Sequence, residues 1–206
     1  MAGMSGMEKA LRRAASTPYE RQSEHAAQRM VERAADGGMI DVAYTTIDSP
    51  VGPMMLAATR RGLVRMSFAR GLDPQHFVED LSAAVSPRIL EAPSYFDAIR
   101  GELDEYFEGR RTRFDLPLDW QLTGGFTRRV LRETARIPYG KVSTYSEVAR
   151  AAGSPRAHRA AGNALGANPI PLVVPCHRVL LTGGAIGNYG GGPEVKEFLL
   201  RLEGAI

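Results

Sequence analysis

Apolar and polar positions alternate along residues 39–69, which read MIDVAYTTIDSPVGPMMLAATRRGLVRMSFA. Such alternation is typical of half-buried strands, because successive side chains of a strand point to opposite faces of the sheet. The run is interrupted at Ser49-Pro50, at Pro53 and at Arg61-Gly62, where turns are expected. The pattern predicts a small antiparallel sheet of short strands.

The spacing of apolar residues becomes helical after residue 72. Asp73 can cap a helix that has Pro74 at its first position. Apolar residues then repeat at helical spacing, at Phe77, Leu81 and Val85. A second helix is expected over about residues 94–107, ended by Gly109. The following segment, RTRFDLPLDW, reads as extended chain, so a domain boundary is expected near its end.

Helical patterns dominate the remainder of the chain. FTRRVLRETARI predicts one helix, and the capping-box sequence Thr144-Tyr145-Ser146-Glu147 opens a short second helix that Gly153 ends. Ser154, followed by Pro155, is then expected to cap a third helix through RAHRAAGNALG. Two short helices joined by a glycine turn predict a helix-turn-helix.

These patterns divide the chain into three parts and predict an α+β fold class. Residues 1–38, which contain the capping-box sequence Thr17-Pro18-Tyr19-Glu20, are expected to form a helical N-terminal extension. Residues 39–118 are expected to form an N-terminal α/β domain. Residues 119–206 are expected to form a mostly helical C-terminal domain.

Composition narrows the functional classes. An apolar content of 44% and a charged content of 24% are those of an ordinary globular protein. No apolar stretch approaches the roughly 20 residues of a membrane span, and the polar N-terminus lacks a signal-peptide core. We therefore expect a cytoplasmic protein.

Positive charge is concentrated in the helix-turn-helix and the segment after it. The net charge is only +3, yet no Asp or Glu occurs between Glu147 and Glu194. The arginines in this interval are Arg150, Arg156, Arg159 and Arg178. The pattern indicates a phosphate-binding surface, with a chance run on a solvated face as the alternative. The third helix also carries small residues, which favour close approach either to a nucleic-acid groove or to another helix.

The chain contains one cysteine, Cys176, within the sequence VVPCHRV. It can form neither an internal disulfide nor a thiolate-rich zinc site, so it is either a small buried residue or a reactive thiol. Nearby prolines exclude an ordinary helix, and PLVV (171–174) is expected to enter the core as extended chain. A thiol with a pKa of about 8.5 needs a base or a positive field to react. His177 could act as that base through a water or across a turn.

Four motifs occur in the C-terminal half: IPYGKVSTY, NPIPLVVPCHRVL, GAIGNYGGG and KEFLLRLEG. Together they resemble the O6-alkylguanine-DNA alkyltransferases, also called methylated-DNA–protein-cysteine methyltransferases. Weaker similarity extends through SPVGPMMLAATRRGLVRMSF and LDEYFEGRRTRFDLPLD, so the resemblance covers about residues 41–206. It implies a ribonuclease H-like roll in the N-terminal domain and a winged-helix-like C-terminal domain.

The resemblance implies DNA repair by direct reversal of damage. Cys176 would accept one alkyl group irreversibly from O6-alkylguanine, or from O4-alkylthymine, in DNA. His177 would take the thiol proton through a bound water, and Glu203 would orient His177. Asn168 would brace the turn that carries the cysteine. Tyr145 would rotate the phosphate of the target nucleotide and help to protonate the departing guanine.

The resemblance also implies how the base is reached. The protein would bind the minor groove of double-stranded DNA and flip the damaged base, and Arg159 would fill the gap. Other expected DNA contacts are Tyr145, Arg156, Ala157, Ala160 and Gly162. The expected base pocket consists of Leu165, Pro175, Val179, Tyr189 and Gly190. Arg178, beside the nucleophile, is instead expected to bond internally.

No cofactor or metal is expected, because the zinc ligands of some relatives are absent. We expect a monomer that associates with the nucleoid when bound to DNA, with cooperation between neighbouring molecules left open. The chain departs from the family pattern at Thr127 and Leu131, which replace Gln and Trp, and at Gly190, where Ser is common.

Two other classes of function stay open at this stage. One is a DNA-binding module without chemistry, like the alkyltransferase-like proteins, which carry another residue at the cysteine position. The other is a cysteine hydrolase with a Cys-His pair, which would turn over repeatedly and would leave the basic helix-turn-helix unexplained. The presence of Cys176 favours the alkyltransferase.

Overall fold

The computed structural model of the protein describes residues 37–69, 71 and 73–206, together with Ala26, Arg29 and Arg33. The helical extension predicted over residues 1–38 falls almost entirely outside the described residues. In the part of the chain that is described, no helix combines the length and apolar character that crossing a membrane requires.

A four-stranded sheet forms the core of the N-terminal half, in the spatial order β3-β2-β1-β4. Its strands are β1 (Val42–Ile47), β2 (Met54–Thr59), β3 (Gly62–Phe68) and β4 (Ile89–Glu91). β1, β2 and β3 pair antiparallel, as the alternating pattern predicts. The prediction of a purely antiparallel sheet is wrong, however, because β4 pairs parallel to β1. A helix returns the chain after β3, so β4 runs in the same direction as β3 and β1.

Two helices accompany this sheet, α1 (Pro74–Ala84) and α2 (Asp97–Phe107). At the start of α1 the Asp73 side chain accepts a hydrogen bond from the Gln75 N–H, which confirms the predicted cap. α2 follows a single 3-10 turn and buries Ile99, Leu103 and Tyr106. Burial of such side chains contributes about 1.5–3 kcal/mol each, so α2 is held by its inner face.

The C-terminal half is mostly helical, which confirms the α+β class. Its helices are α3 (Gly125–Thr134), α4 (Tyr145–Ala151), α5 (His158–Gly166) and α6 (Pro193–Leu202). Two strands of two residues each, β5 (Ser143–Thr144) and β6 (Val179–Leu180), pair in parallel. They join the start of α4 to the chain that follows Cys176.

The two short helices α4 and α5 pack together with the expected glycine turn between them. The capping box at α4 is confirmed, since Thr144 and Glu147 exchange side-chain and backbone hydrogen bonds. The cap predicted at Ser154 is wrong. Residues 154–157 form a turn closed by a 2.9 Å hydrogen bond from the Ala157 N–H to the Ser154 carbonyl, and α5 starts only at His158.

The two halves share a single large apolar cluster. It includes Leu56 and Leu63 of the sheet together with Val130 of α3 and Leu199 of α6, all at most 1% exposed. Because these side chains are close-packed, the halves are held in a fixed relation to each other. The segments around Cys176 lie against this shared cluster.

Candidate active site

The chain enters the site through a tight turn at residues 170–174. The Val174 N–H donates to the Ile170 carbonyl at 2.9 Å, and Leu172 has a φ of 75°. The prediction that PLVV is extended is therefore wrong, because this hydrogen bond folds the segment back on itself. A left-handed non-glycine residue costs about 1–3 kcal/mol and persists only where the surroundings hold it. Leu172 is 1% exposed, so packing fixes this turn.

Asn168 ties the turn to the cysteine. Its Nδ2 donates to the Val174 carbonyl at 2.9 Å and to Cys176 Sγ at 3.2 Å, while its Oδ1 accepts from the Ile170 N–H at 3.1 Å. One side chain thus bonds both ends of the turn and the sulfur. This is the bracing contact expected for Asn168, and the N–H donated to sulfur favours the thiolate.

Cys176 opens a 3-10 turn that continues to Arg178, and it is 9% exposed. Burial raises the pKa of the thiol, while the hydrogen bond from Asn168 and the positive charge of Lys196 act in the opposite direction. Burial has the larger effect, so the free thiol stays protonated at neutral pH. Reaction of Cys176 therefore requires a base.

His177 is the buried base nearest to this thiol in sequence, and it is fully excluded from solvent. Its Nε2 lies 2.9 Å from Glu203 Oε1. Since an ionised carboxylate can only accept, Nε2 carries the proton and Nδ1 has a free lone pair. Nδ1 is buried and has no hydrogen-bond partner among the described residues. Burial lowers the pKa of His177, so the imidazole is neutral and can accept a proton.

Glu203 is bonded by three side chains. Oε1 lies 2.9 Å from His177 Nε2, 2.8 Å from an Arg178 terminal nitrogen and 2.6 Å from the Tyr106 hydroxyl. Oε2 accepts from Arg178 Nε at 2.8 Å. Burial raises the pKa of Glu203, but the hydrogen bonds from His177 and Arg178 outweigh it and lower the pKa to about 2. Arg178 bonds internally, as predicted.

This carboxylate makes stability depend on pH. Its pKa falls from an ordinary 4.5 to about 2 on folding, so its contribution is complete above the ordinary value and is lost as pH falls toward 2. Between about pH 7 and about pH 2 the wild type should lose about 3 kcal/mol of unfolding free energy through this group, and Glu203→Gln none of it. Urea unfolding across that range measures the difference. Parallel losses in the two proteins would contradict it, since all other carboxylates are common to both.

Two tyrosines lie beside the cysteine. The Tyr189 ring meets the His177 ring edge-on with centroids 6.1 Å apart, and its hydroxyl is buried. Tyr145 is partly buried; burial and the neighbouring Cys176 raise the pKa of its hydroxyl, which is therefore protonated. The Tyr145 hydroxyl also lies against the glycine-rich loop of residues 183–192, 3.6 Å from the position of a Cβ on Gly187. The loop and Tyr145 thus line one approach to the sulfur.

The residues expected to form a base pocket fall into two groups. Leu165, Pro175 and Val179 are buried, and Val179 follows the cysteine turn directly. Gly190 is exposed, and a Cβ placed there would meet nothing within 4 Å. Three of the expected pocket residues are therefore buried, whereas Gly190 faces solvent.

The turn at residues 154–157 and the helix α5 that follows it present a basic surface. Arg156, Arg159 and Ala160 face solvent, and Ala157 and Gly162 are partly buried. Neither arginine has a salt-bridge partner in the ranges that the structure describes. Gly162 lies over the Tyr145 ring, with its Cβ position 3.6 Å from the nearest ring atom. Positive charge and small side chains therefore occur on one surface that leads to Tyr145.

Sequence reasoning missed three further contributors to the site. Tyr106 bonds Glu203 from the N-terminal half. Lys196 is fully buried, and its Nζ donates to the Val179 carbonyl at 2.6 Å. Gly140, at a φ of 69°, places its would-be Cβ 2.9 Å from the Glu203 carbonyl, so a larger residue would displace the end of α6. Lys196 had a signal in the sequence, since Leu199 and Leu200 follow it at helical spacing and place it on the apolar face of α6.

Comparison with known proteins shows which family the sequence matches. Residues 42–120 match the family model "6-O-methylguanine DNA methyltransferase, ribonuclease-like domain", and residues 125–205 match the DNA binding domain of the same methyltransferase. The methylated-DNA–protein-cysteine methyltransferase of Methanosarcina barkeri is 38% identical over 160 residues, which is 78% of this chain and 96% of that protein. The protein of the same name from Mycobacterium tuberculosis is 38% identical over 165 residues, 79% of this chain and 92% of that protein.

Solved structures agree. The crystal structure of Mycobacterium tuberculosis O6-methylguanine methyltransferase matches with a TM-score of 0.69 at 38% identity, covering 80% of this chain and 93% of that one. A second crystal structure, of the Mycobacterium tuberculosis OGT in complex with DNA, matches with a TM-score of 0.68 at 38% identity, covering 79% of this chain and 93% of that one. The two family models together span most of the sequence, and the chain belongs to the 6-O-methylguanine-DNA methyltransferase family.

Proposed function

We propose that this protein repairs alkylated DNA by moving the alkyl group from guanine O6 to Cys176 Sγ. As a member of its family it is a methylated-DNA–protein-cysteine methyltransferase, with DNA as its partner. The observation that carries the assignment to Cys176 is the arrangement around this single cysteine. Its sulfur accepts from Asn168, and a buried His177–Glu203 pair with a free imidazole nitrogen follows it directly.

The proton path follows from the tautomer of His177. The thiol proton passes to Nδ1 through one water, since no hydrogen bond joins Sγ and the imidazole among the described contacts. Glu203 then stabilises the imidazolium through Nε2, and the thiolate attacks the alkyl carbon. One S–C bond forms as the C–O6 bond breaks, and the departing guanine needs a proton. The protonated Tyr145 hydroxyl is the donor that we assign to this step.

The product explains why each molecule reacts once. A thioether has no leaving group that water could displace under mild conditions, so the Cys176 sulfur stays alkylated. With O6-methylguanine duplex in excess, loss of the modified base should stop at one equivalent per protein molecule. Liquid chromatography of the digested DNA measures this. Continued turnover beyond one equivalent would contradict the proposal and indicate a hydrolase.

Delivery of the base follows from the surface of α5. A base inside a duplex must be extruded at a cost of a few kcal/mol before a core-held sulfur can reach it. The small residues of α5 suit close approach to the minor groove, and the exposed Arg159 guanidinium suits insertion in place of the base. Tyr145 lies beneath α5 and beside Cys176. It would therefore contact the target nucleotide between α5 and the sulfur.

Arg159→Ala tests this delivery. We expect it to slow methyl transfer from duplex DNA by at least about tenfold, the effect of losing about 1.4 kcal/mol of transition-state stabilisation. Reaction with the free base O6-benzylguanine should be unchanged, because no duplex must be opened. Single-turnover rates on both substrates give the comparison. Arg113→Ala, which removes the same charge from an exposed site in the N-terminal half, is the control; equal losses on both substrates would remove the insertion role.

A further inference from the structure

One hydrogen bond crosses from the N-terminal half into the site. Tyr106 lies near the end of α2, is fully buried, and its hydroxyl is 2.6 Å from Glu203 Oε1, 97 residues further along the chain. Burial and the neighbouring carboxylate raise the pKa of Tyr106 far above its ordinary value, so the hydroxyl keeps its proton. Tyr106 is therefore the donor and Glu203 the acceptor.

Packing alone does not require this hydroxyl. The Tyr106 ring contacts three aromatic rings, with centroids 5.1 Å from Phe114, 5.5 Å from Phe107 and 6.1 Å from Tyr139. Phenylalanine would make the same ring contacts. The only polar contact of the hydroxyl in the described structure is Glu203 Oε1, and a buried hydroxyl without a partner is destabilising. The hydroxyl thus contributes a hydrogen bond to the Glu203 carboxylate and is not needed for the aromatic packing.

The shared oxygen links Tyr106 to His177. Oε1 accepts from both the Tyr106 hydroxyl and the His177 Nε2–H, so each donor reduces the negative charge available to the other. Arg178 donates to the same oxygen, and the added Tyr106 donor makes Glu203 a still weaker acceptor for the imidazole. It also fixes the plane of the carboxylate, and hence the direction in which the His177 ring can bond.

We propose that Tyr106 is a positioning residue of the alkyl-transfer site, contributed by the N-terminal half of the chain. It holds Glu203 in the orientation that keeps the proton on His177 Nε2. It also limits the stabilisation of the imidazolium, so that His177 remains a neutral base until Cys176 gives up its proton. This inference rests on the proposed function, which assigns the base role to His177.

Other contacts show that the N-terminal half braces the same site. The Met66 N–H of β3 donates to the Pro169 carbonyl at 2.7 Å, next to the asparagine that bonds Cys176. The Phe68 ring lies 5.5 Å from the Tyr189 ring. Three separate residues of the N-terminal half therefore contact Pro169, Tyr189 and Glu203, and of these three only Tyr106 bonds a charged group.

Several titratable or charged groups lie around the His177–Glu203 pair; besides burial, Glu203, Arg178 and Lys196 act on the pKa of His177. Within the described chain they come from α2, from the loop before β5, from the cysteine turn, from the glycine-rich loop and from α6. They are Tyr106, Tyr139, Cys176, Arg178, Tyr189, Lys196 and Glu203. Among the tyrosines, only the first donates to the carboxylate.

Tyr106→Phe tests the proposal through the pH dependence of the rate. With one donor lost, Glu203 should stabilise the imidazolium more strongly, so the acid limb of the methyl-transfer profile should move to higher pH by about half a unit or more. The plateau rate should fall by about tenfold, part of the roughly 10²–10⁴ that a positioned base contributes. Because Cys176 is the only cysteine, its alkylation by iodoacetamide gives the same profile without DNA.

Tyr139→Phe is the matched control. Its hydroxyl also donates near the end of α6, but to the Leu202 carbonyl at 2.9 Å rather than to the carboxylate. We expect it to lower stability to urea as Tyr106→Phe does, with the acid limb unmoved. A Tyr106→Phe profile that superimposes on that of wild type or of Tyr139→Phe, in both assays, would overturn the proposal. Absence of methyl transfer by the wild type would instead refute the proposed function, and the iodoacetamide profile would still decide the role of Tyr106.

Discussion

Glu203→Gln should lower the free energy of unfolding at neutral pH by about 3–5 kcal/mol, the cost of breaking a buried ion pair from one side. The Arg178 side chain is 8% exposed and bonds Glu203 through two nitrogens, so the amide would leave a buried guanidinium without its counter-charge. His177 would at the same time lose the carboxylate charge that stabilises its imidazolium. We therefore expect methyl transfer to fall together with stability, as measured by urea unfolding and by single-turnover rates.

The control for this variant is Glu197→Gln. Glu197 pairs with Arg201 on the exposed face of α6, at 2.6 Å and with side chains 43% and 69% exposed. Exposed pairs contribute only about 0–1 kcal/mol, so this substitution should leave both the midpoint and the rate nearly unchanged. A Glu203→Gln protein as stable as the control would show that the buried cluster does not hold the end of α6 to the cysteine turn.

Cys176→Ser should abolish methyl transfer while leaving DNA binding intact. A serine hydroxyl is far less acidic than a thiol, so a neutral imidazole cannot generate the nucleophile that a thiolate provides. Arg159 of α5 and Arg156 in the turn before it are exposed and unaffected by the change, so affinity for duplex DNA should stay the same. Removal of O6-methylguanine and fluorescence anisotropy with labelled duplex measure the two properties. Residual transfer by the variant would mean that another residue accepts the methyl group.

Local pattern predicted much of the fold, because most elements carry their own signals. The alternation in residues 39–69 anticipated β1 to β3, and the capping box at Thr144 anticipated α4. β4 is only three residues long, too short to show a periodic pattern, so neither the strand nor its parallel pairing could be predicted from the sequence. α5 starts late because a backbone turn competes with the cap expected at Ser154.

The sequence likewise predicted some features of the site and missed others. The motif around Cys176 indicated, through resemblance, the nucleophile that we propose and the partnership of His177 with Glu203. Leu172 adopts a left-handed conformation that nothing in its own residue type favours, so the turn was missed. Tyr106 was missed because its partner is 97 residues away along the chain. From sequence alone, a tyrosine on the apolar face of a helix is predicted to be an ordinary core residue. Contacts of this range depend on how the two halves pack.

The central claim is that Cys176 itself keeps the alkyl group, and one mass measurement tests it directly. The protein is incubated with duplex DNA that contains a single O6-methylguanine, and its intact mass is taken before and after. We predict a gain of one methyl group, mapped by peptide fragmentation to Cys176 and absent in Cys176→Ser. An unchanged mass after the duplex has been bound, or a methyl group on any other residue, would contradict the account.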